Sequence, residues 1–561
     1  MAFQDFDIIT QRRQQERKQK IRRRITIAIV STVVVLLIAA AAVCVVVYKN
    51  NQNVASEQNN KKSPPAQVKP VNVAEKAVKT VCANTDYKKT CEDSLLKAVK
   101  NDSEPLDILK ASFAVASEEI DKVIKQASDL KFDSPFKKAA FNDCLVLLND
   151  AKEELNSSIS SVKGKDLGKL SSIKPDINNW LSAVLSYQQT CVDGFPAGPE
   201  KDSMQKLLKT VKELVPTENS GLDELGYPMW MNAEHHRMLK ADGTKFTPNV
   251  TVAKDGSGKF TTISAALDAM PEKYSGRYVI YVKEGVYDET VMVTKKMVNV
   301  TMYGDGSQKS IITGSKNYVD GTPTFQTATF AVLGDGFFAQ SLGFRNTAGP
   351  EKHQAVALRV QADRSIFVNC RMEGYQDTLY AQTHRQFYRS CYITGTVDFI
   401  FGDAAAVFQN CMIYVRKPME NQQNIVTAQG RLDKRQTTGI VIQNCKILAD
   451  DKLEPEKAKF RSYLGRPWKE YSRTIVMESE IGDLISPAGW MEWNGDFALK
   501  TLYYAEFGNK GPGSNTAGRV KWAGYKSIKR DEALGFTVGP FLQGETWIKN
   551  SDVPVRFGMF T

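Results

Sequence analysis

The period of hydrophobic and polar positions changes three times along the chain. Residues 25–47 form an uncharged apolar run of 23 residues. At ~1.5 Å per residue this run can span a bilayer, and it exceeds the usual ~7–15 residues of a secretory h-region. Residues 48–72 are polar and contain Pro64 and Pro65, which marks a linker. From 73 to about 215 apolar residues recur at helical spacing, as in Leu147, Leu148, Ala151, Leu155 and Ile159, and again within 107–130 and 177–191. Pro105, Pro135 and Pro175 separate these stretches, and an antiparallel helical bundle is their natural packing. From 248 onward, short β-branched and aromatic runs such as 278–283 and 299–303 alternate with Gly and Asn turns.

This last region repeats itself. Phe344-Arg-Asn-Thr347, Phe367-Val-Asn-Cys370, Phe408-Gln-Asn-Cys411 and Ile442-Gln-Asn-Cys445 share one pattern, with Tyr388-Arg-Ser-Cys391 a looser copy. Cys391 follows Cys370 by 21 residues and precedes Cys411 by 20. A period near 20 residues fits one coil of a parallel β-helix, in which equivalent residues of successive coils stack about 4.8 Å apart. That spacing lies within the Cα separation of a disulfide, roughly 4.4–6.8 Å, and predicts a Cys391–Cys411 bridge with Cys370 and Cys445 as buried thiols.

Charge and cysteine usage set the compartment. Arg12, Arg13, Arg17, Lys18, Lys20, Arg22, Arg23 and Arg24 precede the apolar run. The positive-inside rule leaves residues 1–24 in the cytosol as a basic tail and sends everything after the anchor into the lumen. Beyond Cys44 in the anchor, eight cysteines are luminal, an even number that suggests disulfides in an oxidising compartment. Cys82 and Cys91 can staple a local hairpin, and Cys144 and Cys191 can tie two helices. Sequons at Asn101, Asn156, Asn249 and Asn299 are candidate glycosylation sites. The net charge of +11 permits a polyanionic partner without choosing its kind.

The repeat also places carboxylates. Gly374-Tyr-Gln-Asp377 and Gly395-Thr-Val-Asp398 each begin four residues after a repeat cysteine, and Asp398 lies 21 residues after Asp377. One coil apart, the two should sit side by side. Both cannot ionise cheaply, so one can keep a proton as general acid while the other acts as nucleophile or base. Gln376, and Gln354 roughly one coil earlier, can supply an amide oxyanion hole. Leu464-Gly-Arg466-Pro-Trp468 brings a guanidinium that can pair with Asp398 and an indole that suits a sugar ring.

These blocks, with Val397-Asp-Phe-Ile-Phe-Gly402, resemble the signature segments of the pectin methylesterase family over residues 248–561. Gly256-Ser-Gly-Lys-Phe-Thr-Thr262 and Tyr281-Val-Lys-Glu-Gly-Val-Tyr287 match that family's opening strands. Residues 142–151 and 180–195, within a 73–225 domain, resemble plant invertase and pectin methylesterase inhibitors. The resemblance implies a right-handed parallel β-helix catalytic domain preceded by an all-α four-helix bundle and an N-terminal transmembrane helix. It implies Asp377 as proton donor, Asp398 as nucleophile and Gln376 as transition-state stabiliser. Thr324, Gln354, Arg466 and Trp468 match substrate contacts, and Phe401 lines the cleft. It further implies hydrolysis of homogalacturonan methyl esters with no cofactor, metal or nucleic acid, and partners that include separate inhibitor proteins. Residues 226–247 contain Arg237-Met-Leu239-Lys240, an Arg-x-Leu-type site for a subtilisin-like protease. The expected route is a Golgi membrane-anchored precursor and then secretion to the cell wall.

Rival chemistries fit less well. Residues 248–561 hold two histidines, His353 and His384, and no Gly-x-Ser-x-Gly elbow for a serine hydrolase. His384 reads as a hydrogen-bonded structural residue. Gly304-Asp-Gly-Ser lacks P-loop spacing and reads as a coil turn. A calcium-dependent pectate lyase would need a carboxylate cluster for its ion, and a non-catalytic wall-binding protein would not need the acid, nucleophile and amide set.

Overall fold

A computed structural model describes residues 85–100, 105–162, 170–215 and 246–561, together with Glu75, Val78, Lys79, Cys82 and Ser103. The apolar run 25–47, Asn101 and the Arg237–Leu239 site lie outside these residues. No described helix is long and apolar enough to cross a membrane.

The first part is helical: α1 (Lys88–Ala98), α2 (Pro105–Ala127), α3 (Pro135–Val162), α4 (Leu170–Asp193) and α5 (Pro199–Leu214). Pro105 and Pro135 stand first in their helices, where a missing N–H breaks no bond. Pro175 does not separate elements as expected; α4 runs through it, with the proline near the start of the helix. Phe113, Leu147, Leu148, Leu185 and Phe195 belong to one buried core. Two disulfides staple it, Cys82–Cys91 beside α1 and Cys144–Cys191 between α3 and α4.

The second part consists of three parallel sheets of eleven, eight and seven strands among the described residues, the arrangement of a parallel β-helix. A complete central coil gives one strand to each sheet, as in Ser365–Val368, Arg371–Glu373 and Leu379–Ala381. Register is held by the stacked interior. The rings of Phe367, Tyr388 and Phe408 lie nearly parallel, with centroids 5.0 and 4.5 Å apart. At the corner between the first two strands, Asn369, Ser390, Asn410 and Asn444 all have φ near +50°, between +51° and +57°. This is the left-handed region, which Asn tolerates better than most other residues with a side chain, and that accounts for the recurrent Asn-Cys pair. The amide of Asn444 donates to Asn410 at 2.9 Å and continues the ladder.

Three expectations need correction here. Phe344 pairs in register with Met372, not Phe367, so Phe344-Arg-Asn-Thr347 is not a copy of the repeat. The true counterpart of Phe367 is Ala339, followed by Ser341 at φ +56°. Residues 256–262 form a turn leading into the short helix Ile263–Asp268, not a strand. Cys370, Cys391, Cys411 and Cys445 are all buried thiols, so the Cys391–Cys411 bridge is absent. Residues stacked in register have parallel Cα–Cβ bonds, so their Cβ atoms stay about 4.8 Å apart, beyond the roughly 3.5–4.5 Å of a disulfide. Each thiol instead sits in the core against a backbone carbonyl, Cys391 on Phe367 O at 3.4 Å and Cys445 on Phe408 O at 3.3 Å.

Near the C-terminal end of the stack, an ion pair that the sequence did not reveal is sealed inside. Arg519 donates to Glu506 at 2.8 and 3.0 Å, and Trp490 and Tyr525 also donate to that carboxylate, both at 3.2 Å. Both partners of the ion pair are 2% exposed. Glu506→Gln leaves the guanidinium uncompensated and is expected to destabilise the fold by roughly 3–5 kcal/mol. Chemical denaturation of the variant, read by its midpoint at unchanged slope, measures this.

Candidate active site

The site grows out of the turn that joins the second and third strands of each coil. In the Gly-x-x-Asp turns, Asp377 and Asp398 both have left-handed φ, +62° and +51°. Gly395 cannot be replaced: a Cβ there would sit 2.2 Å from that of Phe399. Immediately after the turns Leu379 pairs with Ile400 and Tyr380 with Phe401, so Asp377 and Asp398 occupy equivalent positions of adjacent coils. A hydrogen bond from Asp377 N to Val397 O, 3.0 Å, locks the two turns together.

Arg466, at the end of strand Ser462–Gly465, clamps one of the pair. Its Nε donates to Asp398 Oδ1 at 2.8 Å and its Nη2 to Oδ2 at 2.6 Å. Burial drives both carboxyls upward. Asp377 is pushed well above the carboxylate range by desolvation and then by the neighbouring Asp398 charge. For Asp398 desolvation also raises the pKa, but the Arg466 charge and its hydrogen bonds oppose the shift. The environments therefore separate the two roles, with Asp377 the better proton holder and Asp398 the better anion.

Around the pair, Tyr380 stacks on Phe401 at 4.2 Å, and Trp468 meets Phe401 edge-on at 5.9 Å. Gln354, Gln376 and Thr324 are half-buried. The local repeat is 21 residues, so Ala355, not Gln354, aligns with Gln376, and Ala355 N donates to Gln376 O at 3.2 Å. Among the expected sequons, Asn156 is exposed on α3 and Asn299 exposed in a left-handed turn. The Asn249 side chain is engaged instead, accepting from Val279 N at 2.8 Å and donating to Tyr274 at 3.0 Å.

The helical part lies on this face. Along α4, Asn179, Ser182, Ser186, Thr190 and Asp193 fall on one stripe at helical spacing. Asn179 meets His384 Nδ1 at 3.0 Å, and Ser182 accepts from Thr437 N at 3.1 Å. Ser186 donates to Gln382 O at 3.4 Å, and Thr190 meets Tyr380 OH at 3.5 Å. Lys469 donates to Asp193 at 2.7 Å. From α3, Asp150 binds Gln361 at 2.6 Å and Lys295 at 2.9 Å, and Asp143 accepts from Gln326 at 2.7 Å. Phe325, between Thr324 and Gln326, packs against both the helical core and the Tyr380–Phe401–Trp468 cluster. His384 is indeed a hydrogen-bonded structural residue, but Asn179 and Tyr187, two of its partners, belong to the helical part.

Sequence reasoning missed Tyr380, Phe325, Lys469 and Trp493. Trp493 faces the Arg466 guanidinium at 4.4 Å. The signals were the lysine directly after Trp468 and the tyrosine three residues after Asp377. Nothing in the local pattern pointed to Trp493.

A family model described as Pectinesterase matches residues 249–545, and one described as Plant invertase/pectin methylesterase inhibitor matches 76–225. The chain is 51% identical over 532 residues to a probable pectinesterase/pectinesterase inhibitor of Arabidopsis thaliana, across 88% of this chain and 86% of the relative. It is 43% identical over 501 residues to a pectinesterase/pectinesterase inhibitor of Ficus pumila, across 86% and 91%. The solved pectin methylesterase from carrot is 52% identical, with a TM-score of 0.56, and spans 57% of this chain and 100% of its own. The chain thus belongs to the pectinesterase family of carboxylic ester hydrolases, and carries an inhibitor-family helical domain ahead of its catalytic domain.

Proposed function

We propose that the protein hydrolyses the methyl esters of homogalacturonan by a covalent route, releasing methanol. The observation that carries this reading is the Arg466 clamp on Asp398 beside an Asp377 whose carboxyl is pushed well above the carboxylate range by burial and by the Asp398 charge. Asp398 attacks the C6 carbonyl of a methylated galacturonate, and the Gln376 and Gln354 amides receive the oxyanion. Asp377 protonates the departing methoxide, leaving an acyl-enzyme anhydride. It then takes a proton from water, which hydrolyses the anhydride and restores both carboxyls. Trp468, Phe401 and Thr324 hold the sugar chain.

Methanol release from methylated homogalacturonan tests the activity. An unsaturated, ultraviolet-absorbing product without methanol would replace this reading with the lyase. Arg466→Lys keeps the charge but loses the planar fork, and is expected to cut kcat at least about ten-fold with the fold intact. Unchanged kinetics alongside an unchanged circular dichroism spectrum would remove Arg466 from the site.

The remaining assignments follow the same route. The 25–47 run anchors a precursor in the secretory membrane, Asn156 and Asn299 are open to glycosylation in the lumen, and a subtilisin-like protease cuts at Arg237–Leu239 to send the β-helix into the wall. While attached, the helical domain covers the cleft, so the precursor is self-silenced, and separate inhibitor proteins of the same fold would meet the enzyme on the same face.

A further inference from the structure

Beside the indole of Trp468 the two parts enclose a small cavity in which one group stands out. Lys469 Nζ lies 2.7 Å from Asp193 Oδ1 and 4.7 Å from the centroid of the Trp468 ring. Asp193 and Lys469 side chains are 19% and 13% exposed, so this pair is largely withdrawn from water. The indole itself is seated by Gly430, where a Cβ would stand 2.8 Å from its Cε3. The cavity joins Asp193 to Lys469, Trp468, Gln382 and Tyr380, and Tyr380 is the ring stacked under Phe401 in the cleft.

Two polar atoms here are left over. Asp193 Oδ2 and Gln382 Nε2 are both buried without a hydrogen-bond partner. A buried donor without an acceptor is unfavourable, and such atoms in native proteins call for an explanation. The carboxylate of α4 uses one oxygen on Lys469, with Gln189 donating to the same oxygen at 2.9 Å, and leaves the other idle. When α4 leaves, Lys469 and Gln382 lose the helix that caps them and stay beside an aromatic face as two donors without acceptors. An ammonium, an amide N–H and an indole face match the carboxylate and ring of a uronic acid. The Asp403 carboxyl also lines the cavity. It is already taken up by Thr438, Gln436 and Gln429, and with the helical domain attached burial lifts its pKa to about 7.

We propose that Lys469 and Gln382 form a carboxylate subsite beside Trp468, which binds the free C6 carboxylate of an already de-esterified galacturonate near the ester being cleaved, and that Asp193 occupies this subsite while the helical domain is attached. The assignment rests on the pectin reading of the site. It makes Lys469 a specificity residue: the enzyme recognises its own product next to its substrate, so cleavage beside an earlier cleavage is favoured.

The test uses the β-helix part alone, since the carrot enzyme is a folded protein of that extent. Wild type, Lys469→Met and Lys469→Arg are assayed for kcat/KM by methanol release on fully methylated homogalacturonan and on a polymer de-esterified by half at random. The ratio of half-esterified to fully methylated kcat/KM should fall about ten-fold in Lys469→Met, the worth of one charge-assisted hydrogen bond, and be largely kept in Lys469→Arg. Inhibition by unesterified trigalacturonate should weaken by a similar factor in Lys469→Met. An unchanged ratio and an unchanged inhibition constant in a folded Lys469→Met protein would overturn the subsite. Wild type that releases no methanol from either polymer would instead sink the pectin reading beneath it.

Discussion

Asp398→Asn and Asp377→Asn are each expected to lower turnover by orders of magnitude, but to move stability in different directions. An asparagine at 398 cannot form the anhydride, and one at 377 cannot protonate methanol or activate water; lost acid–base help alone is typically worth about 10²–10⁴-fold. The surroundings of the two differ. Asp377 is buried, its carboxyl is pushed well above the carboxylate range and no arginine is clamped to it, so an uncharged amide of nearly the same shape should leave the thermal midpoint level or raise it. Asp398 holds Arg466 through two hydrogen bonds, and its loss strands a largely buried guanidinium, so the midpoint should fall. Methanol release and thermal unfolding of both variants check these outcomes. Near-normal activity in either would end the two-aspartate mechanism, and the reverse pattern of stabilities would mean the protonation states are assigned the wrong way round.

What could be read from the sequence was whatever repeats or sits in a contiguous block. The 21-residue spacing placed Asp377 beside Asp398 because a coil stack converts sequence period directly into adjacency. The Arg466 clamp was also legible, since few groups can satisfy a buried carboxylate. Spacing failed where corners intervene. Phe344-Arg-Asn-Thr347 looks like the repeat, yet its Asn346 points inward and donates to Lys316 O at 2.9 Å and Val356 O at 3.1 Å, one strand away from the corner. The expected disulfide failed because a Cα distance ignores where Cβ points. Longer-range features had no local signature. Glu506 and Arg519 are ordinary charged residues until the terminal coils close over them. The polar stripe on α4, with Ser182, Ser186 and Thr190 at helical intervals, stands among other polar residues of that helix such as Asn178, Gln188 and Gln189. Such a stripe reads as a solvated face until a second surface is found against it.

That second surface leads to the other large effect. Chain cut between the two parts and freed of the helical domain should turn over methylated pectin at least about a hundred times faster than the intact chain, because docking worth even ~3 kcal/mol leaves roughly one molecule in a hundred open. The contact is also expected to depend on pH. Docking buries Asp143 and lifts its carboxyl to about 6, against the opposing Gln326 hydrogen bond, and burial likewise raises Asp150 despite Lys295. Detachment returns Asp143 and Asp150 to water. The docked form therefore binds more protons than the open form, and docking must weaken as pH rises. For Asp143 the contribution is complete below the ordinary carboxylate value near 4 and is lost between there and about 6. Arg385 and Lys295 stay cationic across this window, their pKa values raised further by Asp363 and Asp150 after the burial that opposes them. The measurement is the activity of intact chain divided by that of the β-helix part, from pH 4 to pH 7.5, with N-terminal sequencing to confirm that the intact chain stays uncut. The quotient should climb with pH, and Asp143→Asn should flatten its lower half. A quotient near one at every pH would mean that the helical domain does not close the cleft, and a quotient that falls with pH would mean that these protons are not taken up on docking.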